Sequence, residues 1–396
     1  MRALRVAFLG SLSATLLLAW FLGSTPALAS SHPIKIGVIY PFTGPLAGLS
    51  ELYRPGTEIA FEQAGYQVAG RKIQLIFEDT EGKPDVGLTK TRKLVERDKV
   101  DLLIGPVSSA VALAIRDYVA GSGVPTIIMQ ATVEELTGKR GAPNIFRTAP
   151  TDPQDHVGMG RYVYAELGYK RVIPVALDYV AGHNHLKAFE KDYTAAGGQI
   201  VERVFLPFGG PDPAPFITRI LSRARDADAV HAILWGSDAV RFARQMAEYG
   251  LRDKIPVIAF GTFTDDAIML PAVGSVLKGI VSYDDYSLGW DHPENRRFAE
   301  SVTAKTRRAS NRYSAMGFVA GKAAVEALKA IDGKIENREA FLGALKRLQF
   351  ESPKGPIRFD EHNQAILSLF VNRVEQVGDR LQNKFIKAVH DVRAPR

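Results

Sequence analysis

The stretch IGPVSSAVALAIRDY (104–118) places two hydroxyls side by side where an apolar run gives way to helical spacing. Val100, Leu102, Leu103 and Ile104 stop at Gly105-Pro106. Ser108-Ser109 follow, and Val111, Ala114, Ile115 and Tyr118 then recur at the period of a helix. One hydroxyl is enough to cap a helix, so the second needs another reason. The free N–H groups and dipole of a helix start favour an anion. Two further turns have the same character. Gln130-Ala131-Thr132 follows VPTIIM (124–129), with Thr132 expected to cap Val133-Glu134-Glu135-Leu136, and Thr43-Gly44-Pro45-Leu46-Ala47 follows the first strand. Capping accounts for any one of them. Three in one half of the chain, all with hydroxyls, point to an anionic ligand outside the carboxyl ends of the strands.

Residues suited to other chemistry are sparse. There is no G-x-S-x-G elbow, no H-E-x-x-H, no cysteine and no G-x-G-x-x-G after a strand. Gly317-Phe318-Val319-Ala320-Gly321-Lys322 lacks one residue of a phosphate loop and lies in a helical pattern, so it reads as a packing face. His183 and His185 are two apart and do not share a helix face, so no metal is expected there. Asp265-Asp266 reads as a helix cap. The second half offers aromatics at strand ends: Tyr179 after Asp178, Trp235 before Gly236-Ser237, and Phe263 after Thr262, with Tyr283 and Tyr286 further on. Such rings are more often core than ligand platform. Trp235 is the strongest candidate platform, because the glycine beside it leaves a face free.

The elements that must position these residues alternate. IKIGVIY (34–40), RKIQLIFED (71–79), DLLIG (101–105) and VPTIIM (124–129) read as strands. Between them lie helices over about Leu52–Gln63, Val86–Arg97 and Ser109–Val119. After APTDPQDHVG (149–158) the rhythm repeats, with strands at 171–177, 199–206, 228–234 and 255–260. This is the βαβ pattern of a doubly wound α/β fold, with continuous apolar strands buried on both faces. Three helices follow residue 279, and GPIRFDEHNQAILSLFVNRV (355–374) reads as a hairpin turning near Asp360–Gln364.

Arg2 and Arg5, an apolar run from Val6 to Phe21 and the A-x-A site at Ala27-Leu28-Ala29 make residues 1–29 an expected signal peptide. No later stretch is long enough to span a membrane, and with no cysteine no covalent lipid anchor is expected. Removing the leader lowers the formal charge from +7 to +5. The charges are interspersed, with no basic run suited to nucleic acid.

The chain resembles the periplasmic substrate-binding proteins of branched-chain amino-acid-type ABC transporters. The resemblance rests on the order of IKIGVIYPFTGPLAG (34–48), EIAFEQAG (58–65), DLLIGPVSSAVA (101–112), FRTAPTD (146–152), DYVAGHNHLKAFEKDYTAAGG (178–198) and GPIRFDEHNQ (355–364). It implies two Rossmann-like lobes joined by three crossovers near Pro150, Tyr283 and Pro353. Lobe I would be 30–150 plus 283–352, and lobe II 151–282 plus 353–396. The family's carboxylate-binding serine matches Ser109, beside Ser108. Its backbone-binding pair and threonine match Gln130, Ala131 and Thr132, and its second-lobe aromatic matches Trp235. Phe42, Leu49, Tyr179 and Tyr283 complete the expected ligand set. Two positions depart: Ala181 stands where amino-acid binders have tyrosine, and Thr262 about where they have an acid that pairs with the ammonium. A buried ammonium without a counter-charge costs several kcal/mol, although Asp178, Asp238 or Asp265 could supply one. DYVAGHNHLKAF (178–189) and GSDAVRFARQ (236–245) are more similar to a branch that binds aromatic carboxylates. In that reading Trp235 and Phe263 sandwich the ring and His183 meets a ring hydroxyl.

The resemblance therefore implies a monomeric periplasmic protein of a Gram-negative cell, without cofactor or enzyme activity, that hands a small carboxylate to permease subunits. Branched-chain amino acids or amides, and a sensor domain for a signalling partner, are the alternatives.

Overall fold

The computed structural model describes residues 32–44, 46–210 and 212–395; the expected leader lies outside them. The described residues form two sheets. The first contains β1 (Ile34–Tyr40), β2 (Gln67–Val68), β3 (Arg71–Asp79), β4 (Leu102–Ile104), β5 (Thr126–Ile128) and β6 (Ile145–Arg147), in the order β2-β3-β1-β4-β5-β6. All its pairs are parallel except β2–β3. Ile34, Ile36, Val38, Ile39 and Tyr40 are fully buried. This is what helices on both faces of a parallel sheet require.

The second sheet is larger. Its strands are β7 (Arg171–Asp178), β8 (Gln199–Ile200), β9 (Val204–Pro207), β10 (Ala229–Ile233), β11 (Val257–Phe260), β12 (Val281–Asp284), β13 (Gln349–Ser352), β14 (Gly355–Phe359), β15 (Ala365–Val377) and β16 (Arg380–Val392). The order is β13-β14-β15-β12-β11-β10-β7-β8, with β9 beside β7 and β16 beside β15. The single strand expected over 199–206 is divided. β8 pairs with the start of β7 and β9 with its end, while Glu202 and Arg203 between them turn out to Arg219 and Glu190. The expected tail hairpin forms, with Phe359 opposite Ala365. Of the three crossover positions, Pro150 lies between the sheets and Pro353 in the β13–β14 turn. Tyr283 lies inside β12, so the chain leaves the second sheet only after Asp284.

The helix Ala47–Gln63 packs along Arg312–Lys329. A Cβ at Gly56 or Gly317 would overlap the carbonyl oxygen of Ser314 or Tyr53 respectively, so both positions require glycine for this close approach. Gly317 and Gly321 thus lie in a packing face, as their helical spacing predicts. No helix among the described residues is long and apolar enough to cross a membrane.

Candidate functional site

The Ser108-Ser109 turn is shaped by Gly105, whose φ of 109° brings the backbone so close to the Ile39 carbonyl that a side chain would collide with it. Ser108 has extended backbone and caps the helix Ser109–Ser122, its Oγ accepting the Val111 N–H at 3.4 Å. Ser109 is turned elsewhere: its Oγ accepts the N–H of Thr132 at 3.3 Å. With its oxygen so engaged, the hydroxyl proton of Ser109 is left to donate. Thr132 does not cap the turn after it. That turn is a short 3₁₀ segment, Glu134–Leu136, entered from Val133 without a side-chain cap, so the threonine hydroxyl is not spent there. The third turn is different, because Thr43 donates its hydroxyl to Asp79 at 2.6 Å.

Arg147 holds the 131–137 segment in place and gave no signal in the sequence. Fully buried, it donates to the Ala131 and Val133 carbonyls (3.1 and 2.6 Å), to Thr137 Oγ1 (2.6 Å) and to Gln364 Oε1 (2.6 Å). Burial pulls its guanidinium down to about 10, with Asp152 opposing. The Gln130 side-chain oxygen is buried beside this segment without a hydrogen-bond partner among the described residues.

Two aromatic residues stand at strand ends of the second sheet. Tyr179 and Trp235 immediately precede the helices Val180–Ala195 and Gly236–Glu248, and their rings meet edge to face at 5.6 Å. Both are partly open, and no heavy atom lies within 4 Å of where a Cβ on Gly236 would sit. Ala181 is half-buried on the first turn beyond Tyr179.

Other expected residues are placed away from these rings. Phe263 lies in the core against Phe242, completely buried, and cannot offer a face to a ligand. Thr262 donates its hydroxyl to the Leu234 carbonyl at 2.9 Å. His183 sits on an exposed face, bonded to Asp178 at 2.8 Å and stacked on Phe205. Tyr283 is buried between two histidines. Phe42 packs on Tyr40 and Phe77, and Leu49 against the first sheet's core.

The connection between the two walls is Asp152. Its N–H donates to the Thr132 carbonyl at 3.3 Å. Its carboxylate accepts from Asn184 at 3.2 Å and lies 3.5 Å from His185 Nε2. His185 in turn packs edge-on to Trp235 at 5.7 Å. His185, two residues beyond His183, is thus the histidine that meets both Asp152 and Trp235.

A chain of hydrogen bonds runs back from it. His185 Nδ1 meets His156 Nε2 at 2.9 Å, His156 Nδ1 meets the Tyr283 hydroxyl at 2.8 Å, and that hydroxyl meets His231 Nε2 at 3.0 Å. Burial pulls His231 down to about 3 and lowers His156 and His185, with Asp152 opposing at His185. A neutral imidazole has one N–H. If His185 directs its Nε2–H at Asp152, every link follows: His156 donates to His185, Tyr283 to His156, and His231 to Tyr283. A group lowered on folding stabilises fully above its unfolded value near 6.5, and that stability is lost as pH falls toward 3. His231→Phe is therefore expected to lose about 2 kcal/mol less stability than the wild type between pH 6.5 and 5. Urea unfolding at several pH values measures this, and parallel curves would refute the neutral state. Asp265 and Asp284, which burial pushes up to about 7 and about 8, destabilise as pH rises over the same range. The difference between the two curves is therefore the readout.

The crossing itself is charged inside. Lys354 pairs with Asp285, both fully buried, and Arg312 lies 3.2 Å from Asp284 and 3.6 Å from Asp285. Burial raises the Asp285 carboxyl, but Lys354 and Arg312 outweigh it and hold it below the usual range. Asp265 caps the turn before Met269–Val273, accepting the Ala267 and Ile268 N–H groups. Among the described residues no group of three His, Asp or Glu is placed to hold a metal.

A family model described as "Periplasmic binding protein" matches residues 33–379. An ABC transporter substrate-binding protein from Sphaerobacter thermophilus superposes with a TM-score of 0.89 at 37% identity, covering 92% of this chain and 99% of the other. A solute-binding protein of an ABC transporter from Rhodopseudomonas palustris BisB5, solved with 3,4-dihydroxybenzoic acid, gives 0.84 at 29% identity over 92% and 99%. A Leu/Ile/Val-binding protein homolog from Brucella melitensis is 28% identical over 357 residues, 89% of this chain and 90% of its own.

Proposed function

The chain belongs to the periplasmic binding protein family, and from that premise we propose that it captures a small aromatic carboxylate between two lobes and delivers it to permease subunits. It is a solute-binding protein of the ABC-transporter class. The lobes are taken as 30–150 plus 285–348 and 151–284 plus 349–396, the expected borders at 283 and 353 moving because β12 and β13 lie in the second sheet. They close by hinge rotation outside the cytoplasm, after removal of the leader.

The observation that carries the ligand class is the pairing of two unlike walls. The Ser109 and Thr132 hydroxyls, aligned by the Thr132 N–H, suit a carboxylate. Trp235 and Tyr179 offer ring faces and edges opposite. The sequence departures also favour an acid without an ammonium. Asp178 is bonded to His183, Asp238 to Arg241 and the Gly209 N–H, and Asp265 to its own turn. The Rhodopseudomonas relative's bound dihydroxybenzoate agrees with this reading. The second reading, a branched-chain amino acid, draws on the Brucella relative and on the buried carboxylate of Asp152. Among the described residues its Oδ1 has only His185 Nε2, at 3.5 Å, beside it, and the backbone N–H of Asp152 bonds Thr132.

Ligand in excess stabilises by RT ln(1 + [L]/Kd), about 2.7 kcal/mol at a hundred times Kd. Benzoate and its hydroxylated derivatives are expected to raise the melting temperature more than leucine, isoleucine or valine at equal concentration. A thermal-shift panel in which only the amino acids stabilise the protein overturns the aromatic reading.

A further inference from the structure

Four rings stand in contact from the inner end of the site to the surface. His185, Trp235, Tyr179 and Phe208 follow one another at centroid spacings of 5.7, 5.6 and 4.5 Å. Exposure rises along the row. His185 is buried, Trp235 and Tyr179 are partly open, and Phe208 is 60% exposed, while Val180, next in sequence to Tyr179, is 73% exposed. Scattered surface apolar groups need no explanation, but a ring continuous with a ligand platform is a different case.

Phe208 is also held where it is. The Gly209 N–H donates to Asp238 Oδ2 at 2.9 Å, and Arg241 donates to the Gly210 carbonyl at 3.0 Å while pairing with Asp238. Asp238 is buried in the first turn of the helix that Trp235 precedes. One helix start therefore positions both ends of the exposed part of the row. Around it there is room, since a Cβ on Gly209, like one on Gly236, would meet no heavy atom within 4 Å.

We propose that the binding site continues outward along this row into a second apolar subsite, formed by Tyr179, Val180 and Phe208, that takes the distal apolar group of an aryl carboxylate longer than a single ring. A two-ring acid has this chemistry: a carboxylate for Ser109 and Thr132, one aromatic group against Trp235, and a second ring that stacks on Phe208. The proposal rests on the aromatic-carboxylate reading above. The other occupant of such a patch is the facing surface of the first lobe when the cleft closes.

Calorimetric titration of the full mature chain with benzoate, 4-phenoxybenzoate and 4-phenylbenzoate separates these cases. In the wild type the longer acids are expected to bind at least fivefold more tightly than benzoate. Phe208→Ala removes that advantage while leaving benzoate within twofold, and Phe208→Tyr keeps it. Phe208 is exposed, and unchanged benzoate binding in the variant certifies its fold. Equal losses for short and long acids identify a lobe-closure contact and overturn the subsite, as does an unchanged preference for the longer acids. A wild type that binds no aryl carboxylate at all overturns the underlying reading with it.

Discussion

Alanine at both Ser109 and Thr132 is expected to weaken a carboxylate ligand by at least tenfold, the loss of one bond, and by about a hundredfold or more when both bonds go. Hydrogen bonds to charged groups contribute about 1.5–3 kcal/mol each, and 1.4 kcal/mol is a factor of ten. Each substitution acts differently. Ser109→Ala removes a donor and also the acceptor that orients the Thr132 N–H, whereas Thr132→Ala removes a hydroxyl that holds no part of the turn. The serine is therefore the more damaging of the two, and the pair is non-additive because they share a hydrogen bond. Ser108→Ala provides the contrast, since losing a cap costs about 1 kcal/mol of stability and leaves affinity nearly unchanged. Calorimetry on the double variant checks the claim. An unchanged Kd removes both residues from the site.

Arg147→Met is expected to cost about 3–5 kcal/mol of unfolding free energy, by analogy with breaking a buried charged network. The methionine fills much of the volume, so the loss comes from polar groups. The Ala131 and Val133 carbonyls and Thr137 Oγ1 lose their guanidinium donor, and Gln364 Oε1 is left with the Thr137 hydroxyl alone. The effect also spreads to binding, because the same guanidinium fixes the segment that begins at Ala131. Urea unfolding measures the first effect and calorimetry the second. Arg147→Lys, with a point charge in place of a planar fork, is expected to recover only part of either. A loss below about 1 kcal/mol would show that the acceptors find other donors.

The strands were legible because parallel sheets demand unbroken apolar runs, which the eye finds easily in IKIGVIY or DLLIG. That only one of Ser108 and Ser109 caps the helix was legible too, since a helix has one cap position; the resemblance pointed to Ser108 for it, and Ser108 is the cap. Side-chain direction beyond that was harder to read. His183 and His185 differ by two positions on a helix and so point to nearly opposite sides; only packing decides that the second faces Trp235. Phe263 follows a strand just as Trp235 does, but the 3₁₀ turn Gly261–Phe263 folds its ring back into the core. Arg147 and Gln364 are 217 residues apart. No local pattern could join them, and the resemblance to a family carried the motifs that contain both without saying why.

The peptide groups of Thr132 have a mechanical meaning. Its N–H orients Ser109, the anion-binding serine of the proposed site, and its carbonyl accepts the N–H of Asp152 between the two sheets. If the proposed site holds, a load applied at the ligand is delivered to the crossing through one residue, like a trigger resting on its sear. Coupling of this kind is reciprocal. Whatever spreads the crossing loosens the grip on the cargo by the same factor by which the cargo resists the spreading. Unloading then requires no competitor for the pocket; leverage on the crossing is enough.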